Sequence, residues 1–269
     1  ARFQATDTAS EKAFQEAKGE VEFTIDAGKV NTREEGWKDL KIGVISKREA
    51  GEPTSVDNWK KQRLPLAAMV LAFAMIAPVK TFRKSWKKRL TRLGVKCMAE
   101  LHVLADGAIW IWKAVDRMLT GCRQTLDFYH ACHHLSRAAQ RIHGEETTEA
   151  KAAYKQGRGL LAGQGWSGVC QWVGQLLDVS DEKERERRRK ATDPLITYFA
   201  KHTNRLAYAK RLANGQAIGS GQVEGEAKTL GLRLKARGAR WKRGNIRAMA
   251  SLVCVRHSSQ WPAYWAIAI

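Results

Sequence analysis

The apolar positions change rhythm near residue 130. Before it, short β-branched and aromatic runs end in small or turn-forming residues; after it, apolar residues recur at helical spacing with no strand-like alternation. Val21 to Gly28 (VEFTIDAG) and Leu40 to Ser46 (LKIGVIS) predict two strands. The turn-rich NTREEG between them predicts a hairpin with Asp26 at the end of its first strand. Gly51 to Asn58 (GEPTSVDN) reads as a loop. Leu64 to Val79 is uncharged, and periodicity alone assigns it to neither helix nor strand. It is 16 residues long and carries Pro65 and Pro78. That is below the roughly 17 to 25 residues a membrane span needs, so a buried core element is expected.

Thr81 to Val95 predicts a basic helix. Leu101 to Leu104 (LHVL) predicts a strand that delivers Asp106 and Gly107 at its C-terminal end, Ile109 to Met118 a helix, and Arg123 to Tyr129 (RQTLDFY) a further strand. From Ala131 to about Ala213 the pattern is helical, with Gly157, Gly159, Gly163, Gly165 and Gly168 expected to loosen its middle. The run DEKERERRRK at positions 181 to 190 reads as a solvated helix face. Ile218 to Gly221 (IGSG) leads into a helix carrying Glu224 and Lys228, followed by the basic segment LRLKARGARWKRGNIR. No internal repeat is visible. The alternation of strands and helices predicts an α/β fold.

Charge changes this picture most. Among 269 residues, 47 are Lys or Arg and 27 Asp or Glu, giving a formal net charge of +20 and a pI near 10.0. Such an excess calls for a polyanionic partner, nucleic acid above all; a merely self-repelling basic protein or a ribosome-bound scaffold is the bland alternative. With 44% hydrophobic residues the chain is no disordered tail. The five cysteines are odd in number, scattered and without a C-x-x-C pair, so a reducing cytoplasm is expected rather than a disulfide framework. No secretory signal is visible, and the opening at Ala1 rather than Met leads us to expect a fragment lacking an N-terminal region.

Asp26 and Asp106 each fall where a predicted strand ends, with a glycine within two residues. Carboxylates there project onto one sheet edge, where glycine leaves room for metal, water and phosphate. Each Asp-Gly alone reads equally as a turn. Glu224, at the start of a helix after a glycine-rich lead, is the third acid; Glu226 points to a different face, and Lys228, one turn on, is placed to meet a phosphate. An ordinary Glu–Lys pair on a solvated helix is the plain alternative. Three carboxylates around two Mg²⁺ or Mn²⁺ ions suit phosphodiester cleavage. Consecutive ligands in Asp127-Phe-Tyr-His130-Ala-Cys132-His133-His134 cannot all face one zinc ion on a helix; His130, three residues after Asp127, would instead lie near the catalytic acids. Lys228, Arg233, Lys235, Arg237, Arg240, Lys242 and Arg243 would meet DNA phosphates. Trp86 and Trp241, among basic residues, read either as base-stacking or as core side chains.

The strings REEGWK, VLADGAIWIW, LDFYHACHHL, IGSGQVEGEAK, RLKARGARW and QWPAYW, in that order from about Val21 to Trp265, resemble signature segments of the Kra-type insertion-sequence transposases, RNase H-like enzymes of the Asp-Asp-Glu group. The resemblance implies that Asp26, Asp106 and Glu224 are the catalytic, metal-holding acids and that Asp127 and His130 match the D-x-x-H pattern of related transposases. It implies an RNase H-like mixed sheet flanked by helices, with 1-130 as the first part of the core, 131-217 as a helical insertion and 218-269 as the C-terminal part with its basic tail. The expected activity is cleavage at transposon ends and strand transfer into target DNA, by a homodimer on paired ends, in the nucleoid-associated cytoplasm and with no membrane partner. Two departures stand out: almost no sequence precedes Val21, and the strand expected after Leu40 to Ser46 is hard to find. The rival functions are a structure-selective nuclease such as a junction resolvase, and an inactive or domesticated copy that only binds DNA.

Overall fold

The computed structural model describes residues 8–268. The chain forms two compact units, one of Ala1–Ala50, Pro65–Arg123 and Ser220–Ile269, the other of Gly51–Leu64 and Gln124–Gly219. In the first, helix α1 (Thr8–Glu16) precedes strands β1 (Glu20–Thr32) and β2 (Gly36–Arg48), then β3 (Met69–Ile76), helix α2 (Val79–Arg92), β4 (Leu101–Ala105) and helix α3 (Ile109–Met118). The five-stranded mixed sheet has the order β3-β2-β1-β4-β5, where β5 (Arg123–Leu126) leads the chain from the first unit into the second.

β1 and β2 pair along their whole length, from Glu20↔Arg48 to Thr32↔Gly36. The first strand therefore runs on past Gly28, and Asp26 lies within it rather than at its end. The extension is held because Val30 and Thr32 remain buried while Lys29 faces solvent, which continues the two-residue alternation. Gly36, at φ +67, closes the hairpin where an L side chain would be strained. The uncharged stretch after Leu64 supplies the missing strand: β3 pairs antiparallel with β2 from Leu40↔Ile76 to Lys47↔Met69 and buries Leu71, Ala72 and Phe73. Among the described residues, no helix is long and apolar enough to cross a membrane.

Each face of the sheet has its own core. On one, Phe23 meets the edge of Trp86 at 5.3 Å between centroids, and Phe82 meets Trp86 at 5.4 Å, so α2 is fixed by an aromatic cluster. Trp86 is fully buried and belongs to this core, not to a base-stacking surface. On the other face, α9 (Gly221–Leu234) and α10 (Arg243–His257) cover Val30, Leu40, Ile42, Val44 and Ala72 with Val223, Leu230, Leu234, Ile246, Ala250 and Cys254. The final helix α11 (Trp261–Ala268) follows.

The second unit is helical: α4 (Phe128–His143), α5 (Thr148–Gln164), α6 (Trp166–Leu177), α7 (Glu182–Ala200) and α8 (Tyr208–Ala213). The strand predicted over 123–129 stops at Leu126, because Asp127 caps α4 by accepting from His130 N at 2.8 Å. Two of the glycines expected to loosen this stretch mark close contacts between α5 and α6. A Cβ on Gly157 would stand 2.6 Å from the Trp172 ring, and one on Gly168 would stand 2.1 Å from the Leu160 carbonyl oxygen, so both allow the two helices to pack closely. The charged run 181–190 is only partly a solvated face. Glu184 is half-buried, and hydrogen bonds from Arg187 and Arg188 hold its carboxyl down at about 2. The same two arginines donate to the Ile142 and Leu176 carbonyls, at 2.8 Å and 3.0 Å, and so close the C-terminal turns of α4 and α6.

Candidate functional site

The parallel pairing of β1 with β4 runs from Val21↔Leu101 to Ile25↔Ala105. Asp26 and Asp106 are the next residue on each side, so the two acids start from neighbouring backbone positions on the order of 5 Å apart. β4 ends there while β1 continues, which leaves room beside Asp26. Antiparallel partners share a face, and Asp26 lies opposite Ile42, on the face covered by α9 and α10. Both aspartates are half-buried.

Local donors orient each carboxylate. Ala27 N donates to Asp26 Oδ1 at 2.6 Å, and Ala108 N donates to Asp106 Oδ1 at 3.0 Å. Trp112 Nε1 donates to the Asp106 carbonyl at 2.6 Å, which anchors the turn between β4 and α3. Glu224 lies in the first turn of α9, beside the core residue Val223, and accepts from Ser220 Oγ at 3.3 Å. α9 packs on β1 and β2, so the third acid is carried by an element seated on the strand that bears the first. Glu226 does face elsewhere: it is buried, with its Oε2 2.8 Å from His257 Nδ1. Lys228 is exposed.

Among the described residues, the oxygens of Asp26, Asp106 and Glu224 do not all lie within 4.8 Å of one another. A site for one small ion would need them that close; two ions about 4 Å apart, each with bonds of about 2 Å, separate the outermost ligands further. The all-carboxylate donor set, half-buried at the open end of β4, suits hard divalent cations.

Arg233, Lys235, Arg237, Arg240, Lys242 and Arg243 are all exposed. Lys235 reaches back toward β1, its Nζ lying 3.9 Å from where a Cβ on Gly28 would be. Trp241 turns inward: it packs against the α9–α10 core, and its Nε1 donates to the Leu234 carbonyl at 3.1 Å. The segment around it is pinned to the hairpin tip. Trp241 N donates to Asn31 O at 3.3 Å, Arg33 N donates to Trp241 O at 2.9 Å, and Thr32 and Trp241 form a parallel bridge. Arg33 Nε donates to Arg240 O at 3.1 Å, Arg243 N donates to the Glu34 carboxylate at 3.2 Å, and the Arg243 side chain pairs with Glu35 at 3.2 Å. Sequence reasoning read Glu34 and Glu35 only as turn residues. The signal was an acidic pair in the hairpin facing a C-terminal stretch with no acid from Ala227 onward.

The second unit holds the other two residues singled out. Asp127 is fully buried, and besides capping α4 its Oδ1 lies 3.5 Å from His130 Nδ1. His134 stacks on Tyr198 at 3.6 Å, and burial followed by the nearby Arg137 lowers its pKa. Burial pushes the Cys132 thiol up to about 12. No family model matches the chain, and no curated relative matches it.

Proposed function

We propose that this chain is the catalytic part of a DNA transposase of the Asp-Asp-Glu group, with an RNase H-like core interrupted by a helical insertion. The observation that carries the reading is the parallel register that sets Asp26 beside Asp106 at the end of β4, with Glu224 on a helix packed over β1, the strand that bears Asp26. The six ordered segments resembling Kra-type transposases and the charge of +20 point the same way.

Asp26, Asp106 and Glu224 would hold two Mg²⁺ or Mn²⁺ ions. Bound there, the ions would activate a water or a 3′-hydroxyl for in-line attack and neutralise the leaving oxygen. The protein's own part is to orient the carboxylates: backbone amides from Ala27 and Ala108 fix the two aspartates, and Ser220 fixes Glu224. Lys228 and the exposed cations from Arg233 to Arg243 would grip DNA phosphates. Asp127 and His130 would serve as auxiliary residues. No covalent protein intermediate is required. The partners are transposon ends and target DNA, the working form is a homodimer on paired ends, and the location is the nucleoid-associated cytoplasm.

The test is Mg²⁺- or Mn²⁺-dependent cleavage and strand transfer on DNA bearing the element's ends, comparing the native chain with Asp106→Asn. Asp106→Asn should remove at least about a hundredfold of activity, as expected when a ligand to a developing charge is lost. Cleavage without joining would favour the structure-selective nuclease. Binding without products from either protein would favour a chain that only binds DNA, and cleavage unaffected by the substitution would exclude the assigned acids.

A further inference from the structure

The hairpin tip and the segment pinned to it form a short three-stranded ribbon: the start of β2, residues 31–32 of β1 with the turn residue Arg33 beyond them, and residues 240–243, which meet β1 in one parallel bridge, Thr32↔Trp241. The last of these occupies the edge of β1 that β4 uses further back along the same strand. Side chains alternate across such a ribbon. Val30, Thr32 and Trp241 point to the dry face, where Val30 is 1% and Thr32 2% exposed and Trp241 packs on the core. The opposite face therefore carries Lys29 and Asn31 from β1, Trp37 and Asp39 from β2, and Arg240 and Lys242 from the pinned segment, with Arg33 in the adjoining turn.

Trp37 is the unusual member. It is 61% exposed, although this sheet unit fully buries Phe23, Phe82 and Trp86. Its cross-strand neighbour is Asn31, too small to cover an indole. The position is well fixed, because the backbone on both sides is hydrogen-bonded and Glu34 and Glu35 tie the tip to Arg243. An exposed aromatic ring on a fixed backbone, on a ribbon that also carries exposed Arg33, Arg240 and Lys242, matches what unpaired nucleotides bind: a stacking platform with cations for the neighbouring phosphates. Lys29 is engaged by Asp39 at 2.7 Å and is not counted among those cations.

Resting on the DNA reading above, we infer that the exposed face of this ribbon binds a single-stranded segment at a DNA end, with Trp37 stacking on an unpaired base and Arg33, Arg240 and Lys242 on its phosphates. Trp37 would then discriminate an opened or extended end from a closed duplex, a task that the cations alone, which see only phosphate charge, cannot perform.

Fluorescence anisotropy of the full chain with a short blunt duplex, and with the same duplex carrying a single-stranded extension, tests this. Trp37→Ala should bind the extended duplex about tenfold more weakly and leave the blunt duplex within about twofold, while Trp37→Phe restores most of the difference. Because the side chain is exposed, the variant should keep the native circular dichroism and melting temperature. Equal losses on both duplexes, or no loss on the extended one, would overturn the inference, as would absence of DNA binding by the native chain. Selective binding through Trp37 in a chain that fails the metal-dependent cleavage assay would leave this inference standing and remove the catalytic one.

Discussion

The sheet unit and the helical unit order their residues by different means. In the helical unit, most packing partners follow one another along the chain: α4 packs on α5, α5 on α6 and α6 on α7, while α7 also returns to α4, where Arg187 closes the last turn. In the sheet unit three separate segments are brought together, and the two aspartates become neighbours only through the pairing of β1 with β4. Local pattern suffices to propose helices in the first case. In the second, the chemistry depends on register between strands distant in sequence, which local pattern does not encode.

The largest effect that would sharpen this contrast is expected in the sheet unit. Phe23 is fully buried between β-sheet and α2, so Phe23→Ala should cost about 3–5 kcal/mol, measured as a lower midpoint in urea unfolding. A loss below about 1 kcal/mol would mean that the aromatic cluster does not hold the sheet against α2. In the helical unit the effects should be smaller and opposite in sign at two glycines close in sequence. Gly168→Ala should destabilise by about 1–3 kcal/mol, because its Cβ meets the Leu160 carbonyl. Gly163→Ala, with nothing within 4 Å of the added methyl, should stabilise by about 0.5–1 kcal/mol through helix propensity. Thermal melts of the two variants check both; the same sign for both would contradict the close α5–α6 contact.

This contrast also explains what could be read in advance. α3 matches its predicted bounds, and LHVL delivers Asp106 at a strand end as its β-rich run suggests. β1 was legible only to Gly28, because its continuation depends on β2 pairing opposite Lys29 to Thr32. β3 was hidden inside an apolar run with no period of its own, and its partner β2 decides that it is a strand. Trp86 among lysines and arginines looked equally like a surface and a core residue; Phe82, one helical turn before it, and Phe23, far away in sequence, make it core. The glycines of 157–168 looked like weak points, yet two of them mark close helix contacts, visible only once Trp172 and Leu160 face them. The pinning of 240–243 to the hairpin combines two backbone hydrogen bonds, which leave no mark on side-chain pattern, with contacts of the Arg33, Glu34 and Glu35 side chains to a segment far away in sequence.

The central claim is that Asp26, Asp106 and Glu224 act together as one metal-holding set. Titration of Mn²⁺ into the native chain, followed by calorimetry or by loss of the free-ion paramagnetic signal, tests it most directly alongside Asp26→Asn, Asp106→Asn and Glu224→Gln. The account predicts two ions per chain on the native protein and weaker or fewer bound ions in each of the three variants, with melting temperatures retained. Undiminished Mn²⁺ binding in all three would contradict it.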